Sequence, residues 1–417
     1  MPSVAVVGLQ WGDEGKGKVA AYLSKGAALA VRFNGGPNAG HTVVYSGRTF
    51  RMHLIPAGGL VCGKAAICAG VYVDLRTLSE ELRESREVRP DLKVILSPRA
   101  QVITEIALRA EEMLEAMRGE RAIGTTRRGI GPTAVERFGR VGLRVADLLE
   151  PDALEEKLRD IAAFWRMENA DTRAIARSLS ELFGSLDVEV AEVNRVIAAH
   201  LASGERVVFE GAQGTMLDVL YGTYPYVTSS LTTSAGVYSG CGVPARSVDE
   251  VVGVAKAYTT RVGAGPFPTE IRGEVADRIR EKGGEYGATT GRPRRIGWLD
   301  LAQLRFAVEL NGADAVFLTR VDTLSGLERV RVCVGYEGYG EGEFPATLRE
   351  LSRVRPVYAE LEGWPEIDEA KRAEVLREGY GALHPQARKY VEFVEERLGA
   401  PVRYLGIGPG TEDVVAR

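Results

Sequence analysis

The run VAVVGLQWGDEGKGK over residues 4–18 limits this chain to folds in which a buried strand feeds a helix through a loop built for an anion. Gly8, Gly12, Gly15 and Gly17 let backbone amides approach a phosphate, and Lys16 and Lys18 bring positive charge to the start of the helix. Gly12 to Lys18 fits the pattern G-x-x-x-x-G-K, yet Val19 follows where a Ser or Thr normally holds Mg²⁺. Asp13, inside the loop, is therefore the candidate for reaching a metal, a substrate proton, or both. A plain connector does not account for the loop's charge, because two of the ten lysines in the chain sit here beside two acids.

At 417 residues and 45% hydrophobic content the chain is long enough for a full core. A net charge of -4 supplies no basic field for nucleic acid, so arginine-rich spots read as local anion sites. No apolar run approaches the ~20 residues of a membrane span. The first strand begins at Val4, leaving no room for a cleavable presequence, and a soluble cytoplasmic protein is expected. Cys62, Cys68, Cys241 and Cys333 lack zinc-type spacing and read as small core residues.

Buried strands are expected at 4–8, 27–33, 65–73, 206–209, 251–258, 315–319 and 402–405, and a hairpin turns at Ser46-Gly47. Helical periodicity covers 104–118, 153–164 and 172–201; two further helices, 298–310 and 387–398, stop at Gly312 and Gly399. Strands alternating with helices predict an α/β fold, a mostly parallel central sheet covered by helices on both faces and P-loop-NTPase-like, with ligands at the strands' carboxyl ends. We read residues 1–417 as one domain with a helical subdomain at roughly 100–200.

Four more segments carry chemistry. The loop NGGPNAGHT at 34–42 follows the second strand, and His41 within it, paired with Asp13, would set an acid and a base on either side of a reacting oxygen. Thr319-Arg-Val-Asp322 ends an apolar strand and is similar to the T-K-x-D signature of guanine recognition, with the Asp322 carboxylate accepting from the ring NH and exocyclic amine and Arg320 able to stack on the base. TTGRPRR at 289–295 packs three arginines around a turn with few carboxylates in nearby sequence to neutralise them, which suits a dicarboxylate. GTTRRGIGP at 124–132 is rich in donors and suits a phosphate.

In order along residues 4–409, GDEGKGK, NAGHT, GTTRRGIGP, FEGAQGTMLD, GTYPYVTSS, TTRVGAGPFPTE and TTGRPRR resemble the adenylosuccinate synthetase family. That resemblance implies a GTP-dependent ligase that joins IMP to L-aspartate, giving adenylosuccinate, GDP and phosphate through a phosphorylated IMP. It implies a catalytic set of Asp13 as base, His41 as acid, Lys16 and Gln213, with one Mg²⁺ per subunit on Asp13 and the backbone carbonyl of Gly40. By motif position the IMP contacts would be Asp13, Glu14, Gly15, Lys16, Asn38, Ala39, Gly40, His41, Thr126, Arg128, Gln213, Thr228 and Arg292, with Arg140 reaching across a homodimer. GTP would meet Gly12, Asp13, Glu14, Gly15, Lys16, Gly17, Lys18, Gly40, His41 and Thr42, then Arg294, Arg320, Val321, Asp322, Gly406, Ile407 and Gly408. Aspartate would meet Ala288, Thr289, Thr290, Gly291, Arg292, Pro293 and Arg294.

Some positions depart from the family pattern: Gly406 for a common Ser, Arg320 for Lys, and Ala20-Ala21 for Val-Asp, the last expected to remove a salt bridge from a mobile loop. A GTP-binding switch protein would leave His41 and the TTGRPRR loop without a task. A dinucleotide-dependent oxidoreductase would need G-x-G-x-x-G in the first loop.

Overall fold

Residues 2–119, 122–287 and 291–417 are described by a computed structural model. Ten strands form the central sheet: β1 (Ser3–Gly8), β2 (Leu29–Arg32), β3 (Lys64–Ile67), β4 (Lys93–Leu96), β5 (Glu189–Val190), β6 (Val207–Glu210), β7 (Glu250–Lys256), β8 (Ala315–Thr319), β9 (Val402–Gly406) and β10 (Val414–Ala416). Their spatial order is β10-β9-β8-β7-β1-β6-β2-β3-β4-β5. Every pairing is parallel except the edge pair β9 with β10.

The near-continuous apolar character of these strands follows from burial on both faces. Val4, Ala5, Val6 and Val7 of β1 are fully buried, the even-numbered pair packing with Val19 and Phe317 and the odd-numbered pair with Phe33 and Phe209. β1 lies between β6 and β7, so the chain must cross in both directions to complete the sheet. The loops that follow β1, β2, β6, β7 and β8 therefore gather at one edge, the expected position of a ligand site in such sheets.

Local capping sets the helix starts. Thr104 accepts from Ala107 N at 3.2 Å to open Glu105–Arg118, Asp171 accepts from Ala174 N at 2.9 Å to open Thr172–Ser185, and Asp300 accepts from Gln303 N at 3.2 Å to open Leu301–Asn311. Two expectations from periodicity fail at chain reversals. The helical run 172–201 is broken into Thr172–Ser185 and Val193–Ala202 by β5, whose Glu189 and Val190 pair with β4. The strand 65–73 stops at Ile67 and resumes as Tyr72–Val73 in a separate two-stranded sheet. Ala20 and Ala21 lie fully buried in helix Lys16–Leu23, not in a mobile loop. No helix among the described residues is long and apolar enough to cross a membrane.

One buried acid faces no cation among the described residues. Glu136, on helix Ile130–Gly139, accepts from Trp165 Nε1 at 2.8 Å, and its Oε2 has no partner among the described residues. Burial pushes this carboxyl up to about 7, against the pull of the indole bond. Between the ordinary carboxylate value and pH 7 the folded protein keeps a proton that the unfolded chain has released, so stability falls as pH rises through that window. Glu136→Gln removes this loss: in urea titrations it should stabilise the protein by on the order of 2 kcal/mol at pH 8 and leave it nearly unchanged at pH 5.

Candidate active site

The phosphate loop curls because Gly12, Asp13 and Gly15 all take positive φ, at 84°, 60° and 92°. Helix Lys16–Leu23 then starts at Gly15, with its free amides directed at the loop. Gly17 allows a close approach: a Cβ there would lie 2.7 Å from His41 Cβ. The loop after β2 thus packs against the helix start, as the parallel topology predicts.

The loop's charges divide by direction. Glu14 is fully buried and turned inward, accepting from Gln10 N at 3.0 Å and Gly12 N at 2.9 Å and pairing with Lys16 Nζ, so its main chain and not its carboxylate can face a ligand. Lys18 points away from the loop and donates to Gly408 O at 2.7 Å and Asp413 O at 2.9 Å. Burial lowers its pKa to about 8, partly opposed by Asp413 and Asp322. Of the two lysines at the helix start, Lys18 serves the loop after β9.

His41 is 6% exposed, and its Nδ1 lies against Glu210 Oε1 and 2.8 Å from Arg32 Nη1. Arg32 Nη1 also donates to Glu210 Oε1 at 2.9 Å. Burial pulls the imidazole well below its ordinary pKa; Arg32 and Lys16 add to this and Asp13 opposes it. Burial likewise pushes Glu210 up to about 7, outweighing Arg32. Arg32 lies in no sequence motif, and Glu210 lies inside FEGAQGTMLD without an expected role. A signal was present, since each is a charged residue closing an apolar buried strand, and in the sheet they are register partners.

Gln213, at φ 58°, donates from Nε2 to Asn38 Oδ1 at 3.1 Å, and Asn38 Nδ2 donates to Thr228 Oγ1 at 3.2 Å. Three residues expected to meet IMP thus form one chain of hydrogen bonds, and the buried Gln213 Oε1 has no partner within the described residues. Thr126 and Arg140 are exposed, and among the described residues neither side chain bonds to this chain; Arg140 sits at φ 63° just past Ile130–Gly139.

At the other end, Asp322 Oδ1 is buried without a partner among the described residues. Burial raises that carboxyl, opposed by Arg320 and Lys18. Val321 N donates to Gly406 O at 3.2 Å, joining the two segments expected to hold guanine, and Thr319 Oγ1 donates to Glu14 O at 2.6 Å, tying β8 to the phosphate loop. A Cβ on Gly406 would sit 3.3 Å from Thr319 Cα and 3.5 Å from Lys18 Nζ, so glycine relieves crowding beside the inward-turned lysine.

The arginine loop corrects a sequence expectation. Arg294 pairs with Asp13 (Nε to Oδ2, 2.8 Å) and with Glu285 (Nη1 to Oε2, 2.6 Å), and Arg295 pairs with Glu270 through two bonds of 2.7 and 2.8 Å. Asp13 and Glu270 come from other segments, which a linear reading does not count, and Glu285 lies nine residues before Arg294 at the base of the loop. Gly291, Arg292 and Pro293 stand exposed at the turn, while Ala288, Thr289 and Thr290 lie outside the described residues.

Among the described residues no group of three or more His, Cys, Asp or Glu could form a protein cage for a metal. Mg²⁺ commonly takes only one or two carboxylates and completes its shell with phosphates and water; the Asp13 side chain is 29% exposed and Gly40 is partly exposed. The buried pair beneath His41 gives a direct test. Glu210→Ala should cost about 3–5 kcal/mol in denaturant titrations at pH 8 because it strands Arg32, and adding Arg32→Met should recover part of the loss.

Comparison with known proteins converges on one family. The family profile described as adenylosuccinate synthetase matches residues 5–415. The chain is 43% identical to the adenylosuccinate synthetase of Caldicellulosiruptor bescii, with 99% of each covered, and 43% identical to that of Lactobacillus helveticus, with 100% of this chain and 98% of the relative covered. It also resembles the structure of the fully ligated enzyme of the same name from Plasmodium falciparum, at a TM-score of 0.93 and 33% identity over 100% of both chains.

Proposed function

The chain belongs to the adenylosuccinate synthetase family, and from that premise we propose how its residues divide the reaction among themselves. It is a GTP-dependent ligase that converts IMP and L-aspartate to adenylosuccinate, GDP and phosphate, the step from IMP toward AMP. Asp13 takes the N1 proton of the hypoxanthine ring, and the six-position oxygen attacks the γ-phosphorus as the bond to the β-phosphate oxygen breaks. His41, held against the helix start, stabilises the transferring group from the other side. The aspartate amine then adds at the same carbon, the phosphate leaves with the oxygen, and the amine gives up its proton.

The observation that supports this reading best is the ion pair of Asp13 with Arg294, because it brings the base and the arginine loop to one point. Gln213, Asn38 and Thr228 orient IMP, with Gln213 Oε1 an acceptor in need of a donor. Asp322 Oδ1 supplies the acceptor that guanine's paired donors require and adenine lacks. Lys18, by holding Gly408 and Asp413, shapes the base pocket from behind. Gly291, Arg292 and Arg294, with the flanking residues 288–290, take the aspartate carboxylates. Asp13 and the Gly40 carbonyl would hold Mg²⁺, which when bound screens the charge of the GTP phosphates. The working form is a cytoplasmic homodimer in which Arg140 of one subunit reaches the IMP phosphate of the other.

The reading is tested by following adenylosuccinate absorbance with IMP, aspartate and GTP, each omitted in turn. Product should form only with all three, and Asp13→Asn should lower kcat by about 10³-fold or more while GTP affinity stays within about tenfold. Near-normal turnover in that variant would falsify the role of Asp13. Asp322→Asn should move nucleotide preference from GTP toward xanthosine triphosphate by about 10²-fold in kcat/KM, as competing-substrate assays would report.

A further inference from the structure

Glu285 belongs to no motif that the sequence singles out, and it is 1% exposed. Its carboxylate has three partners in reach. Oε1 accepts from Lys256 Nζ at 2.9 Å and Tyr258 OH at 2.5 Å, and Oε2 accepts from Arg294 Nη1 at 2.6 Å. Its backbone is engaged too, since Arg294 N donates to Glu285 O at 2.9 Å. Tyr286 and Pro293 form an antiparallel bridge beside that bond, and Gly287 N donates to Arg292 O at 2.8 Å. Glu285 and Arg294 therefore face each other across the neck of the arginine loop, joined by main chain and side chain together.

The two carboxylates on Arg294 differ in kind. Asp13 is 29% exposed, and as the proton acceptor it must become free during the reaction. Glu285 is sealed: burial alone would raise its pKa, but Lys256, Arg294 and Arg320 outweigh that and hold it at about 2, so it stays ionised. Lys256 closes the last position of β7 and also donates to Thr260 Oγ1, which fixes the ammonium to the sheet. Arg294 is thus anchored to the sheet at Nη1 and exchangeable at Nε.

We propose that Glu285 is a positioning residue for L-aspartate. Backed by Lys256 and Tyr258, it clamps the loop neck so that Arg294 presents its remaining N–H groups to the substrate carboxylate when Asp13 releases it. The inference rests on the role given above to the arginine loop. A purely structural ion pair would stabilise the fold without selecting among substrates. A clamp on Arg294 acts on aspartate and not on IMP.

The test is steady-state kinetics on full-length Glu285→Gln and on the double variant Glu285→Gln/Lys256→Met, with L-aspartate and IMP varied separately. A misplaced loop side chain costs about 10- to 100-fold, so both variants should raise KM for aspartate by that factor while KM for IMP moves less than about threefold. The single variant leaves Lys256 and Arg294 short of a counterion and should be the less stable of the two; the double variant removes one of those charges and keeps the test valid if the single variant does not fold. Glu285→Asp, which keeps the charge but draws it back by one methylene, should fall between. A folded double variant with wild-type KM for aspartate would overturn the proposal. Arg294→Leu separates the two layers: an unchanged aspartate KM there would overturn the loop's role and the clamp with it. A raised KM in Arg294→Leu beside a wild-type value in the double variant would overturn the clamp alone.

Discussion

Parallel pairing of β1 with β6 on one side and β7 on the other is the constraint on which the site depends. The registers bring Glu210 opposite Val6 and Arg32, and Lys256 opposite Thr319, so polar residues that close otherwise apolar strands all surface along one edge. Each does a different job there. Arg32 and Glu210 frame His41, Lys256 backs Glu285, and Thr319 holds the carbonyl of Glu14. A slip of one residue in any of these pairings would turn those side chains to the opposite face of the sheet.

The arrangement carries several ionised groups into the interior, and desolvation makes each unfavourable alone. Pairing offsets this. Lys256 and Glu285 are each 1% exposed and meet at 2.9 Å, and Arg32 and Glu210 are equally enclosed at 2.9 Å. Apolar replacements of similar volume often serve stability as well, so what the charges contribute is geometry: Arg32 and Glu210 fix His41, and Lys256 with Glu285 fixes Arg294. Glu136, with only an indole donor, shows by contrast what an unpaired buried carboxyl does, taking up a proton near neutrality.

Much of this was legible in the primary structure where chemistry is local. The strand, glycine loop and helix of residues 3–23 lie where the motif predicts, and so does the turn at Arg320, whereas His41 opens the strand His41–Tyr45 and does not lie within the loop before it. Periodicity located Glu105–Arg118, Pro151–Phe164, Leu301–Asn311 and Pro385–Leu398, where one face is buried, but it missed Leu75–Val88, Ile130–Gly139, Glu274–Gly283 and Glu369–Glu378. It merged Thr172–Ser185 with Val193–Ala202, since the two-residue strand between them is too short to disturb a pattern and is held by pairing with β4. The arginines at 294 and 295 looked unneutralised because Asp13, Glu270 and Glu285 reach them through the fold.

The order of residues by itself marked the segments expected to meet phosphate, guanine and a dicarboxylate, because backbone freedom, charge and donor pattern are set within a few residues. Only the tertiary structure decided which charged side chains turn inward to hold the loops together. Lys16 and Lys18 are two positions apart, yet one pairs with Glu14 and the other crosses to Gly408. Arg32, Lys256 and Glu285 carry no motif, and Glu210 lies inside FEGAQGTMLD with no role that the motif gives it; the contacts of all four come from strand register and burial, which leave no mark on local spacing.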